Sequence, residues 1–243
     1  MRTKARLKAA RVPAKRVLRL PAAARRHDIA TKAAHYFAAR GFDGSTRDLA
    51  RYLGITQPLL YRYFPTKEHI IKAVYQAVYL DVWKASWDAL LVDRSRPLRE
   101  RLHQFYGEYT EIIMNEEWMR IYFFAALRGA EINKLYIKFI EERILRRIIV
   151  EFLHECGVAA DETEAVAEME HVWFLQSAIF YYGVRLYVYK LRPAASRLEV
   201  IDAAIDMFVT GYRARLAARG LLPGATPLPR ALAARRRRAA RLA

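Results

Sequence analysis

Only one cysteine, Cys156, stands in the 243 residues. That excludes an intrachain disulfide framework and a cysteine-rich zinc site, and it suits a reducing compartment. Glycine (10) and proline (9) are scarce, so the chain is neither collagen-like nor Gly/Ser low-complexity. A hydrophobic share of 54% is too high for a largely disordered chain. The first 21 residues contain no apolar run of the kind a secretory leader needs. Catalytic signatures are missing too: no glycine-rich phosphate loop, nucleophile elbow or His-Glu-x-x-His run occurs. His103, His154 and His171 are far apart in sequence and lack ligand spacing. The reading is a chain that is not an enzyme, holds no metal and needs no cofactor. The most apolar stretch, Val172–Leu191, is long enough to consider as a membrane span. Gln176, Ser177, Arg185 and Lys190 interrupt it, so a buried helix is expected, with no membrane partner and a cytoplasmic location.

Acid is absent from both ends. Residues 1–21 hold eight Lys/Arg and residues 221–243 hold six Arg, with no Asp or Glu in either. Of the net charge of +17, about +3 remains for residues 22–220. The charge therefore sits in two terminal arms around a nearly balanced body. Such arms read either as solvated, disordered tails or as flexible phosphate contacts.

What is present is helical period. Ile132, Tyr136, Phe139/Ile140, Ile144, Ile148 and Phe152 form one apolar ladder, and Ile201, Ile205, Phe208, Tyr212 and Leu216 form another. Steps of three and four put each set on one helix face. No alternating strand run appears between turn signals. The spacing predicts an all-α fold of about nine helices, near 22–39, 46–53, 57–63, 67–91, 97–115, 117–128, 131–156, 161–191 and 196–219. The domains expected are a basic disordered arm (1–21), a small helical module (22–76), a larger helical body (77–220) and an Arg-rich tail (221–243).

The informative stretch runs from Arg25 to Lys72. Ile29, Ala33 and Phe37 share one face of the first helix, which stops at Gly41. Ser45-Thr46-Arg47-Asp48 has the spacing of a capping box, Ser45 capping the second helix and Asp48 answering its backbone N–H. Gly54 is placed for a sharp turn. Thr56 can cap a third helix with Pro58 in its first turn, and Thr66 a fourth. Two short helices joined by a tight glycine-containing turn make a helix-turn-helix, whose second helix enters the DNA major groove. Residues 22–76 carry nine Lys/Arg against four acids, a balance that suits a phosphate partner.

These residues resemble the TetR family of bacterial transcriptional regulators. The resemblance lies in Ile29–Phe37, Gly41-Phe42, Ser45 to Ala50, Gly54-Ile55 and Gln57 to Glu68, with its Leu-Tyr-x-x-Phe-x-x-Lys-Glu ending. It covers about residues 25–75. It implies a three-helix DNA-binding unit followed by a larger helical bundle. It implies that Thr46 contacts a phosphate and Arg47 a base edge or phosphate. Gln57 would offer an amide to adenine, and Pro58 and Leu59 an apolar surface to a thymine methyl. Tyr61 and Lys67 would hold phosphates. Tyr63 stands where the family often has histidine.

The resemblance further implies a sequence-specific regulator, a ligand-responsive repressor, acting on double-stranded DNA as a homodimer at a palindromic operator. The dimer would form through the last two long helices. The effector expected is small and apolar or aromatic, with Gln104, Trp118, Tyr122, Arg128, Gln176 and Arg185 as candidate ligand contacts. Plain core packing is the competing reading of the aromatics. A non-specific nucleic-acid-binding or chromosome-organising protein driven by its basic arms is the competing function. Deleting residues 1–20 should lower DNA affinity and flatten its dependence on salt. Titration of both forms at two salt concentrations checks this, and unchanged values would make the arm a bystander.

Overall fold

The structure is a computed structural model that describes residues 21–127, 131–159 and 168–224. The basic arm, nearly all of the Arg-rich tail, the expected ligand contact Arg128 and the acidic run 161–167 lie outside the described residues. Those described are helical, with no strand among them.

Three helices come first, one long and two short: α1 (Ala22–Arg40), α2 (Thr46–Tyr52) and α3 (Gln57–Tyr63). The larger part follows as α4 (Lys67–Tyr75), α5 (Ala85–Val92), α6 (Leu98–Ile113), α7 (Glu116–Leu127), α8 (Glu131–Ile140), α9 (Arg146–Glu155), α10 (Glu170–Gly183) and α11 (Arg197–Ala218). The ladders read from sequence face inward. Tyr136, Ile140, Ile144, Ile148 and Phe152 are buried, as are Ile201, Ile205, Phe208, Tyr212 and Leu216.

Three helices loosen into a π turn at one end: Gln76–Leu80 after α4, Glu141–Leu145 between α8 and α9, and Val184–Val188 after α10. Their i→i+5 bonds include Asp81 N–H to the Gln76 carbonyl (2.8 Å) and Tyr189 N–H to the Val184 carbonyl (3.1 Å). The single fourth helix expected over 67–91 is therefore two pieces. No glycine or proline marks the break, which is made by tertiary contacts. Trp83 and Trp87 meet edge to face at 5.2 Å. Their indole N–H groups donate to Asp88 (2.9 Å) and Glu108 (2.9 Å). Both rings pack near Phe105 and Tyr109. These four aromatics belong to the core.

Capping chemistry also departs from expectation in detail. Ser45 accepts the Asp48 N–H (3.1 Å), but Asp48 takes the Ser45 hydroxyl (2.6 Å) rather than its backbone N–H. Asp is one methylene shorter than Glu, and Ser196 with Glu199 closes the full box at the start of α11. Thr66 makes no side-chain cap, and its hydroxyl pairs with His69 Nδ1 at 3.0 Å.

The strongest polar anchor lies inside. Arg101 and Glu151 are 2% and 4% exposed and meet at 3.2 Å. Arg101 also donates to the carbonyls of Leu91 (2.5 Å) and Arg96 (3.1 Å), and Arg94 closes on Glu151 at 2.9 Å. This joins α5, α6 and α9 around a satisfied charge pair. Removing one partner strands the other in a low-dielectric interior. Glu151→Ala should therefore cost about 3–5 kcal/mol, read from urea unfolding at fixed protein concentration. A loss under about 1 kcal/mol would contradict this account.

Candidate nucleic-acid interface

The helix-turn-helix is built by its inner faces. Ala33 and Phe37 of α1, Leu49 and Ala50 of α2, Leu60 of α3 and Phe64 just beyond it are all nearly inaccessible. Gly54 makes the turn at φ +64°, where its N–H reaches the Arg51 carbonyl (3.1 Å) and the Ile55 N–H reaches Ala50 (3.0 Å). Thr56 then accepts the Leu59 N–H at 3.3 Å and starts α3. A seven-residue helix with one side locked in this way presents its other side outward. Gln57 and Leu59 are half-buried, Pro58 is exposed, and Tyr61 is 39% exposed.

Of the expected residues on α2 and α3, the structure brings Thr46, Gln57 and Tyr61 into contact with one another. Thr46 is the meeting point. Gln57 Nε2 donates to Thr46 Oγ1 at 3.0 Å, and Thr46 Oγ1 lies 2.8 Å from the Tyr61 hydroxyl. Arg47 is exposed one position further along α2, and Lys67 is half-buried at the start of α4. Tyr63 is half-buried, with the Arg62 guanidinium 5.5 Å from its ring. Arg26 of α1 lies 5.0 Å from the Phe64 ring. The Ser45 hydroxyl, foremost, and the nearby Arg51, Arg40 and Arg47 hold the Asp48 carboxyl below its ordinary range.

The expected ligand contacts separate. Trp118, Tyr122 and Gln176 line one small cavity of about 50 Å³ that is partly open to solvent, with Ile113, Tyr136, Ile137, Ile140, Trp173, Ser177 and Phe180. No charged side chain lines it. Burial pushes the hydroxyls of Tyr122 and Tyr136 up, and Tyr109 pairs with Tyr136 at 2.7 Å. Two expectations fall away from this cavity. Gln104 is exposed on α6, braced between Arg96 (2.8 Å) and Glu108 (3.0 Å). Arg185 sits on the π turn after α10, 6.0 Å from the Tyr182 ring, and is not part of the lining. An open groove of about 710 Å³ shares Tyr122 and Ile137 with the cavity.

One feature had no signal in the sequence. Helix α7 carries Trp118 and Tyr122 into the cavity, and its other residues grip α1. Glu117 meets His35, and Arg120 Nε donates to the Ala38 carbonyl at 2.5 Å while its guanidinium lies 5.2 Å from the Phe124 ring.

Residues 29–74 match the sequence model of the bacterial regulatory proteins, tetR family. No curated protein matches the chain in sequence. Among solved structures, a TetR-family regulator from Mesorhizobium loti is similar with a TM-score of 0.56 at 16% identity, over 79% of this chain and 98% of that one. A TetR-family regulator from Streptomyces coelicolor has a TM-score of 0.56 at 18% identity, over 81% and 84%. PfmR from Thermus thermophilus, another such regulator, has 0.54 at 19%, over 75% and 97%. At these identities the likeness concerns the fold, while the sequence match concerns the helix-turn-helix itself. No described helix is long and apolar enough to cross a membrane. Residues 29–74 thus form a TetR-family helix-turn-helix domain, and the chain shares the fold of solved TetR-family transcriptional regulators.

Proposed function

We propose that the protein is a ligand-responsive repressor that binds a palindromic operator as a homodimer. The observation that carries the DNA-reading part is the two-sidedness of α3. Leu60 and the adjoining Phe64 are fully buried, while Gln57, Pro58 and Tyr61 stand together on the outer side with Thr46. An amide that pairs with adenine, apolar atoms for a thymine methyl and the Tyr61 hydroxyl for a phosphate are the groups a major groove calls for.

Dimerisation is supported by α10 and α11. Phe174 (74%), Met207 (75%) and Tyr181 (51%) are strongly exposed there. An apolar groove of about 330 Å³ runs between the two helices, with Phe174, Ala178, Met207 and Gly211 along it. A second copy would bury these groups and hold two reading heads at a fixed spacing. Of the other aromatics on α10, Trp173 and Phe180 line the cavity instead, and Tyr182 is buried.

The effector reading rests on the uncharged, aromatic cavity. Its walls Tyr122, Trp173 and Phe180 are only half-buried, and a ligand larger than the cavity would have to displace them. Helix α7 supplies a route outward, because a ligand that displaces Trp118 or Tyr122 strains the contacts of Glu117 and Arg120 with α1. A ligand acts only through its differential affinity for the two spacings of the reading heads.

Two sets of variants test this reading. Tyr61→Phe and Lys67→Ala should weaken binding on all sequences, whereas Gln57→Ala should change base preference at one position by about fivefold or more. Gln57→Ala with unaltered preference would misplace the recognition helix. Phe174→Glu with Met207→Glu should yield monomers by light scattering and lose operator affinity. A double variant that remains dimeric would move the interface elsewhere.

A further inference from the structure

We propose that Thr46 works inside the protein, as the positioning residue that sets the base-reading amide of Gln57 and the outward proton of Tyr61, rather than as a phosphate contact. The inference rests on the DNA-reading role of α3 and goes beyond it by assigning the residue that governs specificity.

The hydrogen-bond inventory carries the argument. A threonine hydroxyl has one proton and two lone pairs. Gln57 Nε2 donates to Thr46 Oγ1 at 3.0 Å and takes one lone pair. The Tyr61 hydroxyl, 2.8 Å away, takes a second position. Two of the three bonding positions of Thr46 are therefore filled from within the protein, and the side chain is half-buried.

The direction of these bonds has consequences for DNA. A phosphate oxygen only accepts, so a Tyr61 that serves phosphate must donate its proton outward. Thr46 must then donate to Tyr61. The three groups form a one-way chain, from the Gln57 amide to Thr46, from Thr46 to Tyr61 and from Tyr61 to phosphate. Such chains strengthen by mutual polarisation. At the other end, a carboxamide pairs bidentately with adenine through its oxygen and the N–H on the same edge. The second N–H is the group that can be engaged elsewhere without spoiling that edge. Thr46 engages Nε2 and so fixes which end of the amide faces inward, and with it the order in which the oxygen and the remaining N–H meet a base edge. Without the Thr46 hydroxyl the amide is free to turn over. Guanine, which presents two acceptors in the major groove, is then discriminated against less well.

The position is suited to a clean test. Thr46 opens α2, but the cap of that helix is Ser45, which accepts the Asp48 N–H. Thr46→Val keeps the shape and removes the hydroxyl, Thr46→Ser keeps the hydroxyl and removes a methyl, and Thr46→Ala removes both. The full-length protein is first used to select its preferred duplex from random sequence. Wild type, the three Thr46 variants and Gln57→Ala are then titrated on that duplex and on its single-base-pair substitutions, with thermal unfolding as the control for folding.

Val and Ala should lower discrimination about three- to tenfold at the same base pair that Gln57→Ala affects. Ser should stay within about twofold of wild type. The inference is overturned if Val and Ala weaken binding equally on every duplex, which is the behaviour of a phosphate contact. It is also overturned if Ser behaves like Val, or if discrimination does not change. Enrichment of no sequence by the wild-type protein would instead remove the sequence-reading role of α3, and this inference with it.

Discussion

A helix of seven residues does not stand alone in water, because the cost of nucleating a turn is recovered only over a longer run or by packing. Helix α3 is such a helix, so its existence depends on the burial of Leu60 and of Phe64 at its end. The same requirement determines what is left outside. With that side committed to Leu49, Ala50 and Phe37 of the neighbouring core, Gln57, Pro58 and Tyr61 are left toward the surface. Stability and recognition are thus two faces of one short element. Burying the outer face would remove the chemistry, and exposing the inner face would remove the helix.

The connection between this unit and the body follows from packing as well. Helix α1 packs against both α4 and α7, and α7 also supplies two walls of the uncharged cavity. No flexible linker separates the cavity from the reading head. The Arg120 donation to the Ala38 carbonyl and the contact of Glu117 with His35 attach α7 near the C-terminal end of α1. A rearrangement around Trp118 or Tyr122 acts on the same helix that holds α1. The Arg101–Glu151–Arg94 network braces α5, α6 and α9.

Much of this was legible in the chain, for local reasons. Steps of three and four gave the ladders on α8, α9 and α11, and the Ser45, Gly54 and Thr56 signals depend on neighbours only a few residues away. The Leu-Tyr-x-x-Phe-x-x-Lys-Glu ending marked the junction of α3 and α4. Features set by distant partners were not legible. The break after Leu80 comes from two indoles packing near α6, and a helical period does not reveal it. Gln104 looked like a cavity residue because α6 carries aromatics, yet it lies on the charged face of that helix. Trp173 and Phe174 are adjacent in sequence and point to different places, one into the cavity and one to the surface. The partnership of Thr46 with Gln57 and Tyr61 spans 11 and 15 residues, and only the folded turn brings it about.

The central claim is that two copies of the exposed α3 face read duplex DNA around a two-fold axis. A hydroxyl-radical footprint of the full-length protein on its selected duplex tests it most directly. Two protected segments, related by a dyad and centred about 34–36 Å or a multiple of that apart, are the expected pattern. A single unbroken or asymmetric protection, or none that depends on sequence, would contradict the account.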